Sequence, residues 1–474
     1  MPQFIASTDL PVQPETAFSY HDRPGALDRL LPPWQNLRIV KRSSSIHVGE
    51  QVLMKIGTPL GFPVSWLAEH TVYDPPRLFV DQTIKGPVAY WRHEHHFEAR
   101  GESGCTLTDS IDYRLPMGWL GQTLGGSYFT SELRRMFRYR HQVTRDDLSL
   151  QQRWTSPSPL RIAVSGSSGM VGTQLVALLR TAGHTVLPLR RPEALRNKPR
   201  NEPSSKAERK ESLGYLEWSP TSGLTNPKEA EGLDVVIHLA GKGIAEQRWS
   251  EAVKKEIRDS RVLATQKLSS QLASLDLPPK VFISASAIGF YGNRGDEVLD
   301  ESSAPGEGFL PEVAQQWEQA ADPLRSRGKT RVVHPRLGVV LHPRFGAMAK
   351  LLTPIRLGLG GPMGSGRQYW SWISIDDCIG AMYHLMMDTR AEGGVNLVTP
   401  EPLTNKQFVE KIAKELWRPA FFPTPSFGLK LLLGEMAGPL LLDSTRCVPA
   451  KLSSLGYQFR HPQLSEAVRY LLGL

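Results

Sequence analysis

Two short stretches of the chain carry residue types at spacings that can do chemistry. SGSSGMVG places Gly166, Gly169 and Gly172 three residues apart, directly after the apolar run RIAVS and ahead of a helical pattern. Glycines so placed permit a tight turn, let the backbone approach a pyrophosphate and let the next helix pack closely on the strand. The helix N-terminus then faces the anion. The pattern points to dinucleotide binding by Gly166, Ser168, Gly169, Met170, Val171 and Gly172. The second stretch, SASAIGFYG, follows another apolar strand pattern and offers hydroxyls at Ser284, Ser286 and Tyr291. A phenol works as a general acid near neutral pH only where its surroundings lower its pKa, and no lysine stands beside Tyr291 to do so.

The residues at the end of the second strand pattern, LPLRRPE, bear on which dinucleotide binds. An NAD site usually has Asp or Glu there for the ribose hydroxyls. Here Arg190 and Arg191 stand instead, and guanidinium groups match a 2′-phosphate in charge and fork geometry. NADP(H) is therefore expected over NAD(H), which stays open as the alternative. HLAG ends a further strand pattern, and its small residues let Leu239, Ala240 and Gly241 lie against the adenosine side. His238 is read as a packing or polar strand-end residue, and Asp234 as a turn residue. In GKGIAEQRW, Lys242, Gln247, Arg248 and Trp249 either overhang the nicotinamide or form a surface loop. Arg336 ends a strand and is a candidate for an anionic group. Glu318 and Trp317 read as packing and surface positions of a helix. Asp376 and Asp377 are expected to cap a helix beginning at Cys378.

These residues need a scaffold, and the chain length of 474 residues calls for two or three domains. Hydrophobic residues make up 40% and charged residues 22%, which suits globular domains with substantial cores. The net charge of +9 is spread along the chain apart from Arg190 to Lys210. That segment reads as a solvated polar loop, so no nucleic-acid partner is expected. Cys105, Cys378 and Cys447 match no metal spacing and cannot all pair, so neither a metal site nor a disulfide framework is expected, and a reducing, cytoplasmic setting follows. No signal peptide is visible. LKLLLGEMAGPLLL is interrupted by Glu435 and Pro439 and too short to span a bilayer.

Residues 1–154 read as short alternating strands (LRIVKRS, VLMKIGT, WLAEHTVYD, RLFVDQTI, CTLTDSIDYRL) with an early helix around Glu15 to Leu30. A long helix closes them, its apolar face formed by Leu133, Met136, Phe137, Tyr139 and Val143. Strands wrapped on such a helix enclose an apolar interior that is either a core or a site for a lipophilic ligand. TSPSPL, residues 155–160, is the joint. Beyond it strand and helix patterns alternate over 161–400, as in a doubly wound parallel sheet. A small C-terminal domain follows over 401–474.

With these residues in view, the part from Arg161 onward resembles the extended short-chain dehydrogenase/reductase superfamily. Within it, the chain is similar to the atypical proteins described as NAD-dependent epimerase/dehydratase-like or nucleoside-diphosphate-sugar epimerase-like. GKGIAEQRWSEAVKKEIRDSRV, SASAIGFYG, RLGVVLHPRFGAMAKLL, LGLGGPMGSGRQYWSWISIDD and RPAFFPTPSFGLKLLLGEMA carry the resemblance, the last from a C-terminal domain of unknown function. The N-terminal part resembles the START-like polyketide cyclase/dehydrase superfamily, of helix-grip fold, through PMGWLGQTLGGSYFTSELRRMFRYRH. The resemblance implies a Rossmann domain, with Ser284 and Ala285 at the cofactor and Ser286 and Tyr291 as catalytic candidates. It also implies Lys242, Arg248, Arg336, Arg367 and Trp370 at a small-molecule substrate, with Trp372 as a second aromatic wall. Members normally carry Tyr-x-x-x-Lys on the helix after SASAIGFYG. Here Phe309 and Val313 fall on those positions, and no tyrosine lies between Tyr291 and Tyr369. The expectation is an oxidoreductase or epimerase-like protein with a non-standard centre, or a silent dinucleotide sensor, as a monomer or homodimer.

Overall fold

The computed structural model describes residues 1–42, 45–57, 62–192 and 214–474. Most of the polar Arg190 to Lys210 segment thus lies outside the described residues. The chain divides into two units. The first comprises Met1–Thr155 with the short pieces Ala177–Gly183 and Arg469–Leu474, and the second comprises Ser156–Val176 and His184–Val468.

The first unit is a seven-stranded antiparallel sheet in the order β1-β7-β6-β5-β4-β3-β2. Its strands are β1 (Gln3–Leu10), β2 (Leu37–Lys41), β3 (Gln51–Gly57), β4 (Pro63–Asp74), β5 (Leu78–Lys85), β6 (Tyr90–Arg100) and β7 (Gly104–Arg114). Helices α1 (Pro14–Asp22) and α2 (Ala26–Leu30) lie between the first two strands in sequence, and α3 (Trp119–Arg153) follows the last. This is the helix-grip arrangement. The sequence pattern finds five of the strands and misses β1 and β6. It also starts the long helix a dozen residues late, because the glycine-rich WLGQTLGG lacks an apolar period.

The interior is not wholly apolar, and here the expectation is corrected. Two apolar clusters form, one around Phe18, Phe79, Phe97, Leu107 and Leu148, the other around Trp91, Ile111, Leu133 and Phe137. Between them, buried His93, Asp109 and His141 make a polar band. Arg29 and Asp147, both fully buried, pair at 2.8 Å and tie α2 to α3, with the Tyr20 hydroxyl donating to the same carboxylate.

The second unit contains a nine-stranded sheet. The strand Arg161–Ser165 (β8) pairs in parallel with Thr185–Arg190 (β9) on one side and with Val235–His238 on the other. From β9 the sheet continues to Leu216–Ser219. From Val235–His238 it continues through Val281–Ser284 to Arg331–Leu337 and Gly393–Leu397. In chain order the parallel strands thus run 3-2-1-4-5-6-7, the doubly wound order of Rossmann folds. The order reverses between β8 and Val235–His238, and in such sheets ligands bind beyond the strand ends at that point. Residues 401–468 group with this unit. Among the described residues no helix is long and apolar enough to cross a membrane.

Candidate functional site

The glycine turn occupies that switch point. Gly166 ends β8 with φ of +66°, a left-handed conformation that glycine adopts without penalty. A Cβ there would stand 2.9 Å from the Leu239 carbonyl carbon, so the turn lies backbone to backbone on the loop after the fourth strand. Gly169 donates its N–H to Gly166 O at 3.0 Å, and α4 (Met170–Thr181) starts directly after it. At Gly172 a Cβ would stand 2.1 Å from Gly166 O, so only glycine lets this helix close on the turn. Ser168 and Gly169 are exposed at the helix N-terminus, Met170 and Val171 partly so. This bare backbone ahead of a helix fits a pyrophosphate.

A residue outside the glycine motif holds the crevice in shape. The Ser165 hydroxyl accepts from Leu239 N–H at 3.1 Å and Ala240 N–H at 3.2 Å, and lies 2.7 Å from His238 Nδ1. With its lone pairs taken, the hydroxyl proton goes to Nδ1, which makes His238 the neutral Nε2–H tautomer. Burial agrees, pushing the His238 pKa down to about 4. His238 is therefore the strand-end residue the sequence suggests. Ser165 passes unnoticed there because it completes an apolar strand.

At the second strand's end, Arg190 lies in register with the buried Glu217 and its guanidinium sits 5.7 Å from the centre of the Tyr215 ring. Arg191 next to it is exposed. Ser284 is fully buried and its hydroxyl finds no hydrogen-bond partner among the described residues, and Ala285 beside it is buried too.

Around Ser286 the structure assembles a network that only long-range folding could reveal. Ser286 donates to Glu318 Oε1 at 2.7 Å. Arg336 grips the same carboxylate with Nε at 2.8 Å and Nη2 at 2.9 Å. Arg336 Nη1 donates to the Tyr291 hydroxyl at 2.8 Å, and that hydroxyl donates to Asn396 Oδ1 at 2.8 Å. The Arg336 guanidinium also lies 3.6 Å from the centre of the Phe290 ring. Burial opposes ionisation of Glu318, but the Arg336 fork, aided by Ser286, overcomes it and holds the carboxyl below its usual range. Burial dominates at Tyr291 and pushes the phenol up to about 12 despite Arg336. The anionic partner of Arg336 is thus Glu318 of the same chain. Asn396, unremarked in the sequence, is the one polar residue in GGVNL, and that is the signal that would have found it.

The remaining candidates do not converge. Lys242 pairs with Glu256, and Arg248 is exposed with Nη2 donating to Leu431 O at 3.2 Å. Arg367 is exposed. Trp370 and Trp372 are buried, their indole N–H groups donating to Leu441 O and Glu401 O. The helix Ile375–Met387 starts three residues before Cys378, and Ser374 is its cap. The Ser374 hydroxyl accepts from Asp377 N–H. Asp377 instead accepts from Tyr457 OH and from the backbone of Arg460 and His461, because its carboxylate faces inward from the first turn.

Residues 162–397 match the model of the NAD-dependent epimerase/dehydratase family. Residues 10–157 match that of polyketide cyclase/dehydrase and lipid transport proteins, and 424–471 that of a domain of unknown function. An epimerase family protein of Mycobacterium bovis is 38% identical over 65% of this chain and 96% of its own length. The nucleoside-diphosphate sugar epimerase of Corynebacterium glutamicum, whose crystal structure is known, is 32% identical. It covers 99% of this chain and 90% of its own, with a TM-score of 0.78. The human epimerase family protein SDR39U1, solved with NADPH, is 31% identical over 66% of this chain and 99% of its own, with a TM-score of 0.56. With the Rossmann strand order and the glycine turn at its switch point, these likenesses place the chain in the NAD-dependent epimerase/dehydratase family.

Proposed function

We propose that the chain is an NADP(H)-binding oxidoreductase or epimerase-like enzyme that acts on a small molecule through a non-standard centre. The observation that supports this most is the glycine turn packed on the Leu239–Ala240 backbone at the switch point, with Arg190 and Arg191 at the end of the neighbouring strand. In this reading Gly166 to Gly172 hold the pyrophosphate, Leu239, Ala240 and Gly241 flank the adenosine side, and the arginines take a 2′-phosphate. The NADPH of the human relative's structure points the same way. Ser284, Ala285 and Ser286 lie at the nicotinamide end. Bound NADP(H) supplies hydride chemistry. Ser286, backed by Glu318, or water would handle the proton, since the Tyr291 proton is committed to Asn396. Lys242, Arg248, Arg367 and Trp370 are assigned to the substrate side.

A second reading, a silent dinucleotide sensor, draws on that same commitment of Tyr291 and on Phe309 and Val313 at the usual dyad positions. In both readings the N-terminal unit takes a lipophilic ligand, which its polyketide cyclase and lipid transport match supports. The test follows absorbance at 340 nm with NADPH and a panel of sugar nucleotides and lipophilic aldehydes and ketones. Oxidation that Gly169→Asp abolishes and Ser286→Ala slows supports the enzyme. Tight NADPH binding without absorbance change, and with no epimerised sugar nucleotide detected by NMR when NADP⁺ is supplied, supports the sensor.

A further inference from the structure

The polar band inside the N-terminal unit is built with a regularity that a core does not need. On β6 the inward positions read Trp91, His93, His95, Phe97, every second residue facing the same way. Asp81 of β5 stands in register opposite His93, and Asp109 of β7 opposite His95. Along β7 the inward series is Leu107, Asp109, Ile111. Strands β6 and β7 thus each carry apolar residues above and below and acid or imidazole in the middle. Burying such groups is costly even where they pair, and apolar residues of like volume would fill the space at least as well.

We propose that Asp81, His93 and His95 form a binding site for a first-row divalent transition metal ion of the zinc type. Asp81 Oδ1 stands 3.2 Å from His93 Nδ1 and 3.5 Å from His95 Nε2, and one donor atom from each residue lies within 4.8 Å of the others. Ligand atoms around tetrahedral zinc, with bonds of about 2.0–2.1 Å, stand roughly 3.3 Å apart, so the two Asp81–imidazole spacings already suit an ion. Two imidazoles and a carboxylate are donors that zinc-type ions favour over calcium or magnesium.

The far sides of the rings supply an independent argument. His93 Nε2 lies 2.8 Å from Asp109 Oδ1, so His93 has a carboxylate at each ring nitrogen. Doubly protonated, His93 donates to both carboxylates, and a metal on Nδ1 would replace the proton it shares with Asp81. With a metal on Nδ1, the N–H on Nε2 goes to Asp109, the carboxylate–histidine–metal arrangement that orients such ligands. Asp109 is itself held by His141 Nε2 at 2.6 Å. His95 Nδ1 also approaches Asp109 Oδ1, at 2.7 Å but off the line of a hydrogen bond, and Phe79 stacks on the His95 ring at 3.9 Å. Three protein ligands leave a coordination position open. Lying between two apolar clusters, that position suits a ligand with an apolar body and one carboxylate, carbonyl or hydroxyl oxygen.

The test uses the full chain without an affinity tag, stripped by chelator and titrated with Co²⁺ and then Zn²⁺. The expected result is one equivalent of Co²⁺ giving intense visible bands of tetrahedral type, displaced by Zn²⁺. Asp81→Asn and His95→Gln should weaken binding at least tenfold, while His96→Gln, on the opposite face of the strand, leaves it unchanged. Far-UV circular dichroism and the thermal unfolding profile of each variant, compared with the unmodified chain, report whether the N-terminal unit is still folded. X-ray absorption on the unmodified chain, counting two imidazoles, decides the matter even if a variant fails to fold. Absence of stoichiometric binding, binding that survives both substitutions in folded protein, or a ligand count without two imidazoles would overturn the proposal.

Discussion

At the scale of single residues, Tyr291 separates this chain from enzymes that draw a proton from a tyrosine beside a lysine. Its hydroxyl is fixed between Arg336 and Asn396. Tyr291→Phe would leave a buried guanidinium donor and a buried amide oxygen without their partner, a loss of about 1–3 kcal/mol, read as a lower thermal midpoint with NADPH affinity kept. Its ionisation makes a second prediction. The folded phenol sits above its unfolded value of 10.0, at about 12. Its contribution to stability is therefore complete below pH 10 and is lost as pH rises through about 12. The difference in stability between wild type and Tyr291→Phe should shrink across that window and not on the acid side. The glycine turn is legible in sequence because its geometry is local. The Ser286–Glu318–Arg336–Asn396 network is not, since each member comes from a different element and only the folded sheet joins them.

Among the elements, the crevice depends on the join between β8 and the loop after Val235–His238. Ser165 makes that join by accepting two backbone N–H groups and donating to His238. Ser165→Ala should cost about 1–3 kcal/mol and weaken NADPH binding by releasing the Leu239 and Ala240 backbone assigned to the adenosine side. Thermal unfolding and fluorescence titration would show both effects, and an unchanged affinity would mean the glycine turn holds itself. The elements also show why β6 escaped sequence reading. Two of its four inward positions are histidine, so the alternation that marks a strand is masked by the residues that give it a chemical task. The helix after Ser374 misleads in the other direction, because two aspartates in its first turn look like caps while a serine before them does the capping.

For the whole molecule, the mycobacterial relative matches 65% of this chain yet 96% of its own length. A unit comparable to residues 161–474 therefore stands as a protein without the helix-grip part. We expect the fragment 161–474 to bind NADPH as the full chain does, and saturating NADPH to raise its thermal midpoint. At one hundred times Kd the gain is about 2.7 kcal/mol. In the sequence, TSPSPL and the change from antiparallel to alternating patterns suggest a boundary at 155–160. The grouping of residues 401–468 with the Rossmann unit, and of Arg469–Leu474 with the first unit, depends on packing across long sequence distances, which no local pattern records.

The central claim is that the cofactor crevice is intact and suited to NADP(H). It is tested most directly by titrating NADPH and NADH into the purified chain by fluorescence, with Arg190→Ala and Gly169→Asp alongside. At Gly169 a Cβ would stand 3.3 Å from Gly166 O, so the turn need give only slightly to admit a side chain, but the new carboxylate would face the pyrophosphate. Saturable binding that favours NADPH, weakened about tenfold or more for NADPH alone by Arg190→Ala and for both by Gly169→Asp, is the predicted result. Equal affinity for the two dinucleotides, indifferent to Arg190, would contradict the NADP(H) assignment. Binding of neither would contradict the account as a whole.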